Sequence, residues 1–167
     1  AHAAFTKAGI YFKIKVRTVD VDYKTQSANL KQMERAINKN TICLISSAPT
    51  YPHGICDDAS AIAKLALKYK IGCHLDACLG GFTVPFMEGA GYPQYAALSF
   101  ATPGITSISA DPHKYGNAPK GCSVIMTNNR ELRRAMVVAV PDWSGGIYCT
   151  PTLTGSRPGS TIACAWA

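Results

Sequence analysis

Apolar and polar residues follow two rhythms along the chain. AHAAFTKAGIYF (1–12) and NLKQMERAINKN (29–40) have the apolar spacing of amphipathic helices, and Asn29 stands where an N-cap belongs. KIKVRTVDV (13–21) alternates with the period of a strand. TICLISSA (41–48) and IGCHLDA (71–77) are short apolar runs that read as buried strands. Between them, DDASAIAKLALKYK (57–70) reads as a helix opened by the acidic pair Asp57 and Asp58. A looser loop and helix region, about residues 80 to 104, leads to the strand ITSISA (105–110). CSVIMT (122–127) is strand-like and RELRRAMVVAV (130–140) helical.

Strand and helix in turn predict an α/β fold with a largely parallel sheet. No repeat, low-complexity segment or linker marks a second complete domain. With 167 residues, 47% hydrophobic, the chain holds enough apolar material for one sizeable core. The net charge of +7 raises the question of nucleic acid. Its carriers are two loose groups, Lys7, Lys13, Lys15 and Arg17, then Arg130, Arg133 and Arg134, with none of the motifs of a nucleic-acid reader, so they read as solvated faces.

The 7 cysteines, at positions 43, 56, 73, 78, 122, 149 and 164, are odd in number and several lie in strand-like runs. They read as buried free thiols of a reducing compartment. No apolar run approaches the roughly 18 residues of a membrane span, and no signal peptide precedes Ala1. A chain that starts without Met and ends within an apolar helix-like stretch reads as a fragment.

The order of elements locates the chemistry. Ligands of open α/β sheets gather beyond the carboxyl ends of the strands, and there the chain carries PTYPHG after TICLISSA, Asp76 after IGCHL, and DPHK after ITSISA. A lysine at that edge, partly desolvated and near other cations, has its pKa lowered and forms a Schiff base with an aldehyde. A carboxylate at a neighbouring strand end holds a pyridinium nitrogen protonated, so Lys114 and Asp76 are the pair that pyridoxal phosphate requires. On their own, the two residues read more readily as a surface lysine in a turn and an aspartate capping a loop.

Longer motifs add to the pyridoxal phosphate reading. HLDACLGGF (74–82), SADPHKYGNAPKG (109–121) and DWSGGIYCTPTLTGSRPG (142–159), with SAPTYPHGICDD (47–58) and AHAAFTKAGIYF, resemble the sphingosine-1-phosphate lyases, pyridoxal phosphate enzymes of the group II decarboxylase type. The histidine-lysine pair with an upstream Asp-Ala is shared by many group II decarboxylases and names the cofactor. The extended HKYGNAPKG and the GGIY to GSRPG run point to the lyases. The resemblance implies part of a three-layer, mainly parallel large domain of the type I, aspartate aminotransferase-like fold, filling residues 1–167. It implies cleavage of phosphorylated sphingoid bases to a long-chain aldehyde and phosphoethanolamine.

Carried over residue by residue, the resemblance makes Lys114 the Schiff-base lysine, with His113 beside the cofactor phosphate. Asp76 pairs with the ring nitrogen, Ala77 packs beneath the ring and His2 stacks on its other face. Gly155 and Ser156 reach the phosphate of a neighbouring subunit's cofactor, which implies a homodimer with shared sites. Lys120 and Tyr51 are assigned to the substrate hydroxyl. Lys120 and Arg157 are candidates for the substrate phosphate, Arg157 serving equally as a structural clamp.

The resemblance places a phosphate-binding loop and, in eukaryotic relatives, a membrane anchor upstream of His2, and a small domain downstream. Localisation to the endoplasmic reticulum membrane, facing the cytosol, follows by analogy alone. Two rival readings remain at this stage: an amino-acid decarboxylase of the same family, and a noncatalytic scaffold of this fold. Metal binding has less support, because strand alternation sends Cys73 and His74 to opposite faces and no paired C-x-x-C occurs.

Overall fold

The computed structural model describes residues 1–95 and 98–167. Its centre is a four-stranded sheet in the order β1 (Cys43–Ser47), β2 (Gly72–Asp76), β3 (Ser107–Ala110), β4 (Val124–Thr127). The first three strands are parallel. β4 runs antiparallel to β3, so CSVIMT closes the sheet edge in the opposite sense.

Alternation along β1 and β2 sorts the side chains to two faces. Leu44, Ser46, Cys73 and Leu75 are buried on one, beneath helix α3 (Ala59–Tyr69). That helix offers Ala59, Ile62, Ala63 and Ala66, the spacing of one helical stripe, and its alanines let it lie close to the strands. Asp58 caps it, accepting from Ala61 N at 2.9 Å. Asp57, its acidic neighbour, straps two segments instead, accepting from Ala28 N and Ser47 N, both at 2.8 Å.

Helix α2 (Leu30–Ala36) packs beside α3 through Lys68 and Glu34, 2.6 Å apart, and is capped by Asn29 as its sequence predicts. Helix α1 (Ala3–Phe12) meets the opposite face of the sheet through Phe5, whose ring stands edge-on to His74 at 5.9 Å. Helices interleaved with a largely parallel sheet give the α/β architecture that the alternation predicts.

Two segments differ from expectation. KIKVRTVDV forms no strand; its one ladder contact is a bridge between Val21 and Ala28. Alternation supplies the pattern of a strand but not a partner, and among the described residues no further backbone pairs with it. RELRRAMVVAV is helical only over α4 (Arg130–Ala135). Its β-branched end becomes β5 (Val138–Val140), paired antiparallel with β6 (Tyr148–Thr150), because valine at successive positions fits a pleated ribbon better than a helix.

Helix α5 (Gly159–Trp166) follows β6. The region 80–104 contains three short 3-10 turns, Gly80–Phe82, Val84–Phe86 and Pro93–Tyr95; its Ala96 and Ala97 lie outside the described residues. All seven cysteines are free. Burial pushes the Cys73 thiol up to about 12 and that of Cys56 up to about 11, whereas Cys149 and Cys164 are exposed, against the expectation of burial.

Candidate active site

The parallel strands end side by side, and their register sets Ser47, Asp76 and Ser109 in one row on the face opposite α3. Asp76 is buried. Its Oδ1 accepts from Ser109 Oγ and from Cys78 N, each at 3.2 Å. Among the described residues no cation forms an ion pair with it. Two residues back on the same face, the His74 ring sits between Ser107 Oγ, 2.8 Å from Nδ1, and Ser109 Oγ, 3.2 Å from Nε2. Burial holds the His74 pKa below its ordinary value against the opposing pull of Asp76.

The backbone after Asp76 comes close to its neighbours. A Cβ on Gly81 would stand 2.5 Å from the Cβ of Ala110, and one on Gly80 2.3 Å from the Ala48 carbonyl oxygen, so both positions require glycine. Ala77 is buried here and donates its N–H to the Ser109 carbonyl at 3.0 Å.

Lys114 enters from the turn after β3. Its N–H reaches the Asp111 carbonyl at 3.1 Å, and Ala118 N closes on the Pro112 carbonyl at 3.0 Å. Lys114 Nζ then lies 3.1 Å from Asp111 Oδ2 and 3.1 Å from Cys78 Sγ. Asp111 is fixed from its other oxygen by Ser123 Oγ at 2.6 Å. A chain of contacts therefore runs from Asp76 through Cys78 to Lys114 and Asp111.

The electrostatics of the lysine depart from expectation. Partial burial pulls the Lys114 pKa down, but hydrogen bonds to Cys78 and Asp111 and their charges outweigh it, leaving the pKa above its ordinary value. Its closest polar partners are an acid and a thiol rather than cations, so the expected lowering is reversed. The Cys78 thiol is itself raised by burial and by Asp76, with Lys114 opposing.

His113 is pinned: Nδ1–H donates to the Cys122 carbonyl, and Nε2 lies 3.7 Å from Asp111 Oδ2. His2 caps α1, its Nδ1 accepting from Ala4 N at 3.0 Å, and lines a cavity of about 930 Å³ together with Phe5 and Thr50. Tyr51 is 80% exposed, in a turn closed by Gly54 N on the Thr50 carbonyl at 2.9 Å. Lys120, Gly155, Ser156 and Arg157 are exposed.

Asp76, Ala77, His113 and Lys114 thus come together at the strand ends. Among the described residues no hydrogen bond or ion pair joins His2, Tyr51, Lys120, Gly155, Ser156 or Arg157 to them. The sequence reading weighed His74 only as a metal ligand, likewise Cys78, and gave Ser107, Ser109, Asp111 and Ser123 no role. Asp111 had a signal, an acid three positions before a lysine in a turn. The serines become visible only once β2 and β3 are placed in register. Metal chemistry finds no donor set: no group of three or more His, Cys, Asp or Glu that could hold an ion occurs among the described residues.

These residues fit pyridoxal phosphate. A buried carboxylate met only by neutral donors calls for a cation, and a protonated ring nitrogen is one. Lys114 offers a partly exposed amine, and Ala77, next to Asp76, carries only a methyl group.

Comparison with known proteins agrees. Over 167 residues, all of this chain, it is 52% identical to the sphingosine-1-phosphate lyase of Saccharomyces cerevisiae, spanning 28% of that protein's length. It superposes on the sphingosine-1-phosphate lyase of Burkholderia pseudomallei with a TM-score of 0.96 and 41% identity, covering 99% of this chain and 38% of that one. A glutamate decarboxylase of Lactobacillus brevis shares the fold, with a TM-score of 0.83 at 22% identity, covering 99% of this chain and 38% of that one. The family model described as the pyridoxal-dependent decarboxylase conserved domain matches residues 1–141. That stretch contains every residue of the contact chain from His74 to Ser123, and the chain belongs to the pyridoxal-dependent decarboxylase family.

Proposed function

We propose that this chain is part of the large domain of a pyridoxal phosphate-dependent carbon-carbon lyase. Its substrates are sphingoid base 1-phosphates, cut between C2 and C3 to a long-chain aldehyde and phosphoethanolamine. The carrying observation is the juxtaposition of a reachable lysine amine, Lys114, with a buried carboxylate, Asp76, that has no cation partner among the described residues. The whole-chain likeness to sphingosine-1-phosphate lyases, 52% against 22% for a glutamate decarboxylase, supports the lyase over the decarboxylase.

Bound pyridoxal phosphate supplies an aldehyde that takes up an amine and a ring that accepts the electron pair of the breaking bond. Lys114 Nζ is the atom to which that aldehyde would attach, and Asp76 would hold the proton on the ring nitrogen. Ala77 and His2 would flank the ring. His113, with Gly155 and Ser156 of a second subunit, would hold the phosphate, making the enzyme a homodimer with shared sites. Lys120 Nζ, supported by Tyr51, would take the proton of the substrate hydroxyl. Lys120 or Arg157 would pair with the substrate phosphate. Asp111 and Cys78 receive the Lys114 ammonium whenever the lysine is free.

By family analogy the whole enzyme would sit at the endoplasmic reticulum membrane with this domain facing the cytosol. Among the described residues no helix is long and apolar enough to cross a membrane.

The test is a full-length chain compared with Lys114→Ala, following the absorbance of bound pyridoxal phosphate and then aldehyde release from a phosphorylated long-chain base. The expected result is a Schiff-base band and aldehyde from the unmodified protein alone. A band without aldehyde but with carbon dioxide from an amino acid identifies a decarboxylase, and a parent that never binds the cofactor leaves the scaffold reading.

A further inference from the structure

We infer that Ser107, His74 and Ser109 form a directional hydrogen-bond relay ending on Oδ1 of Asp76, and that His74 is thereby a positioning residue for that carboxylate. The inference rests on the pyridoxal reading, in which Asp76 serves the ring nitrogen.

The donor roles follow from counting hydrogens. A carboxylate only accepts, so the single hydroxyl hydrogen of Ser109 lies on the 3.2 Å contact to Asp76. Ser109 Oγ has then only lone pairs for His74, so Nε2, at 3.2 Å, carries a hydrogen and donates. In a neutral imidazole Nδ1 is then the acceptor, and it takes the Ser107 hydroxyl hydrogen at 2.8 Å. The opposite tautomer would set the Nε2 lone pair against an oxygen with no hydrogen to give.

The surroundings keep the ring neutral. Phe5 of α1 packs on it, Ile45 of β1 stands opposite it in register, and Ser107 and Ser109 flank it from β3. Asp76 favours the imidazolium, but burial prevails and lowers the pKa. The other titratable group nearby, the Cys43 thiol, is raised by burial, with the His74 backbone opposing, and remains uncharged at neutral pH.

A carboxylate held by such a relay cannot turn away from its partner, and each hydrogen bond in the relay polarises the next. Removing His74 frees Ser109 to rotate and loosens Asp76, at the cost of one charge-assisted contact.

The experiment uses the full-length protein. Nitrogen-15 NMR of labelled histidine, with His74→Gln for assignment, should find His74 protonated on Nε2 and bare on Nδ1 at pH 7, titrating below an ordinary histidine. Titration of the apoprotein with pyridoxal 5'-phosphate should show His74→Phe weakened about tenfold. His74→Gln, which can present an N–H where Nε2 stood, should recover most of that loss. An Nδ1–H tautomer, an ordinary titration, or His74→Phe binding as well as the parent while the parent binds cofactor would overturn the relay alone. A parent that binds no cofactor overturns the pyridoxal reading and with it the relay's purpose. Matching thermal midpoints of the Gln and Phe variants separate loosened cofactor from failed folding.

Discussion

The sheet under α3 and the segment after Lys114 treat apolar side chains in opposite ways. Ile62, Ala63, Ala66, Cys73 and Leu75 are completely buried, whereas Leu153 is 86% and Trp166 92% exposed, with Ile125, Trp143 and Ile147 also open. In the first region each side chain takes its position from contacts within the chain. In the second, apolar side chains stand open, as on surfaces that make further contacts. The contrast divides the proposed site. Asp76 and Lys114 are held by local packing, while Lys120, Gly155, Ser156 and Arg157 stand on the open part, where the proposed second subunit would hold them.

That division is broken or sharpened by substitutions on either side of it. Replacing Lys120 with Met should cut aldehyde release by about a hundredfold while the thermal midpoint stays within error of the parent. A matching loss of stability would show that the open segment is structurally integrated after all. Ile62→Ala should act in reverse, removing about 2–5 kcal/mol of stability in denaturant titrations and affecting turnover only through the folded fraction. A smaller loss, about 1 kcal/mol, is expected when Asp58→Ala removes the cap of α3, read by the same titration.

The finest test concerns Lys114 itself. Asp111 helps hold its pKa up, and only the neutral amine attacks an aldehyde. Asp111→Asn should therefore lower the pKa, and cofactor loading should proceed at lower pH than in the parent. An acid limb that stays put or moves up would remove Asp111 from that role. Stability carries a related signature. His74 is held below its ordinary pKa, so between its folded and unfolded values the unfolded chain binds more protons. Stability should fall as pH drops below about 6.5 and level off below the folded pKa.

Much of this was legible in the sequence where one element decides the outcome. β1 and β2 announced themselves as short apolar runs, Asn29 as a cap, and Asp76 and Lys114 by lying beyond strand ends. What escaped depends on two elements at once. The bond from Ser109 to Asp76 exists because strands 33 residues apart in sequence settle into one register. Alternation in KIKVRTVDV finds only the bridge of Val21 to Ala28 among the described residues, and RELRRAMVVAV changes state midway because three valines within four residues outweigh the helical start. The sign of the Lys114 shift was reversed by Cys78 and Asp111, residues inside the quoted motifs whose approach to the amine only the folded chain reveals.

The order of the sheet has a consequence for assembly. Among the described residues each strand of this sheet pairs with the one just before it, from β1 to β4, so the sheet can be laid down in the order of the chain. Loop-closure entropy is met one strand at a time. During synthesis the carboxylate of Asp76 and the amine of Lys114 can therefore meet as soon as β3 and its exit turn have left the ribosome. Pulse-labelled hydrogen exchange on stalled chains should find β2 protected once residues through Thr127 are free, ahead of any protection in α5.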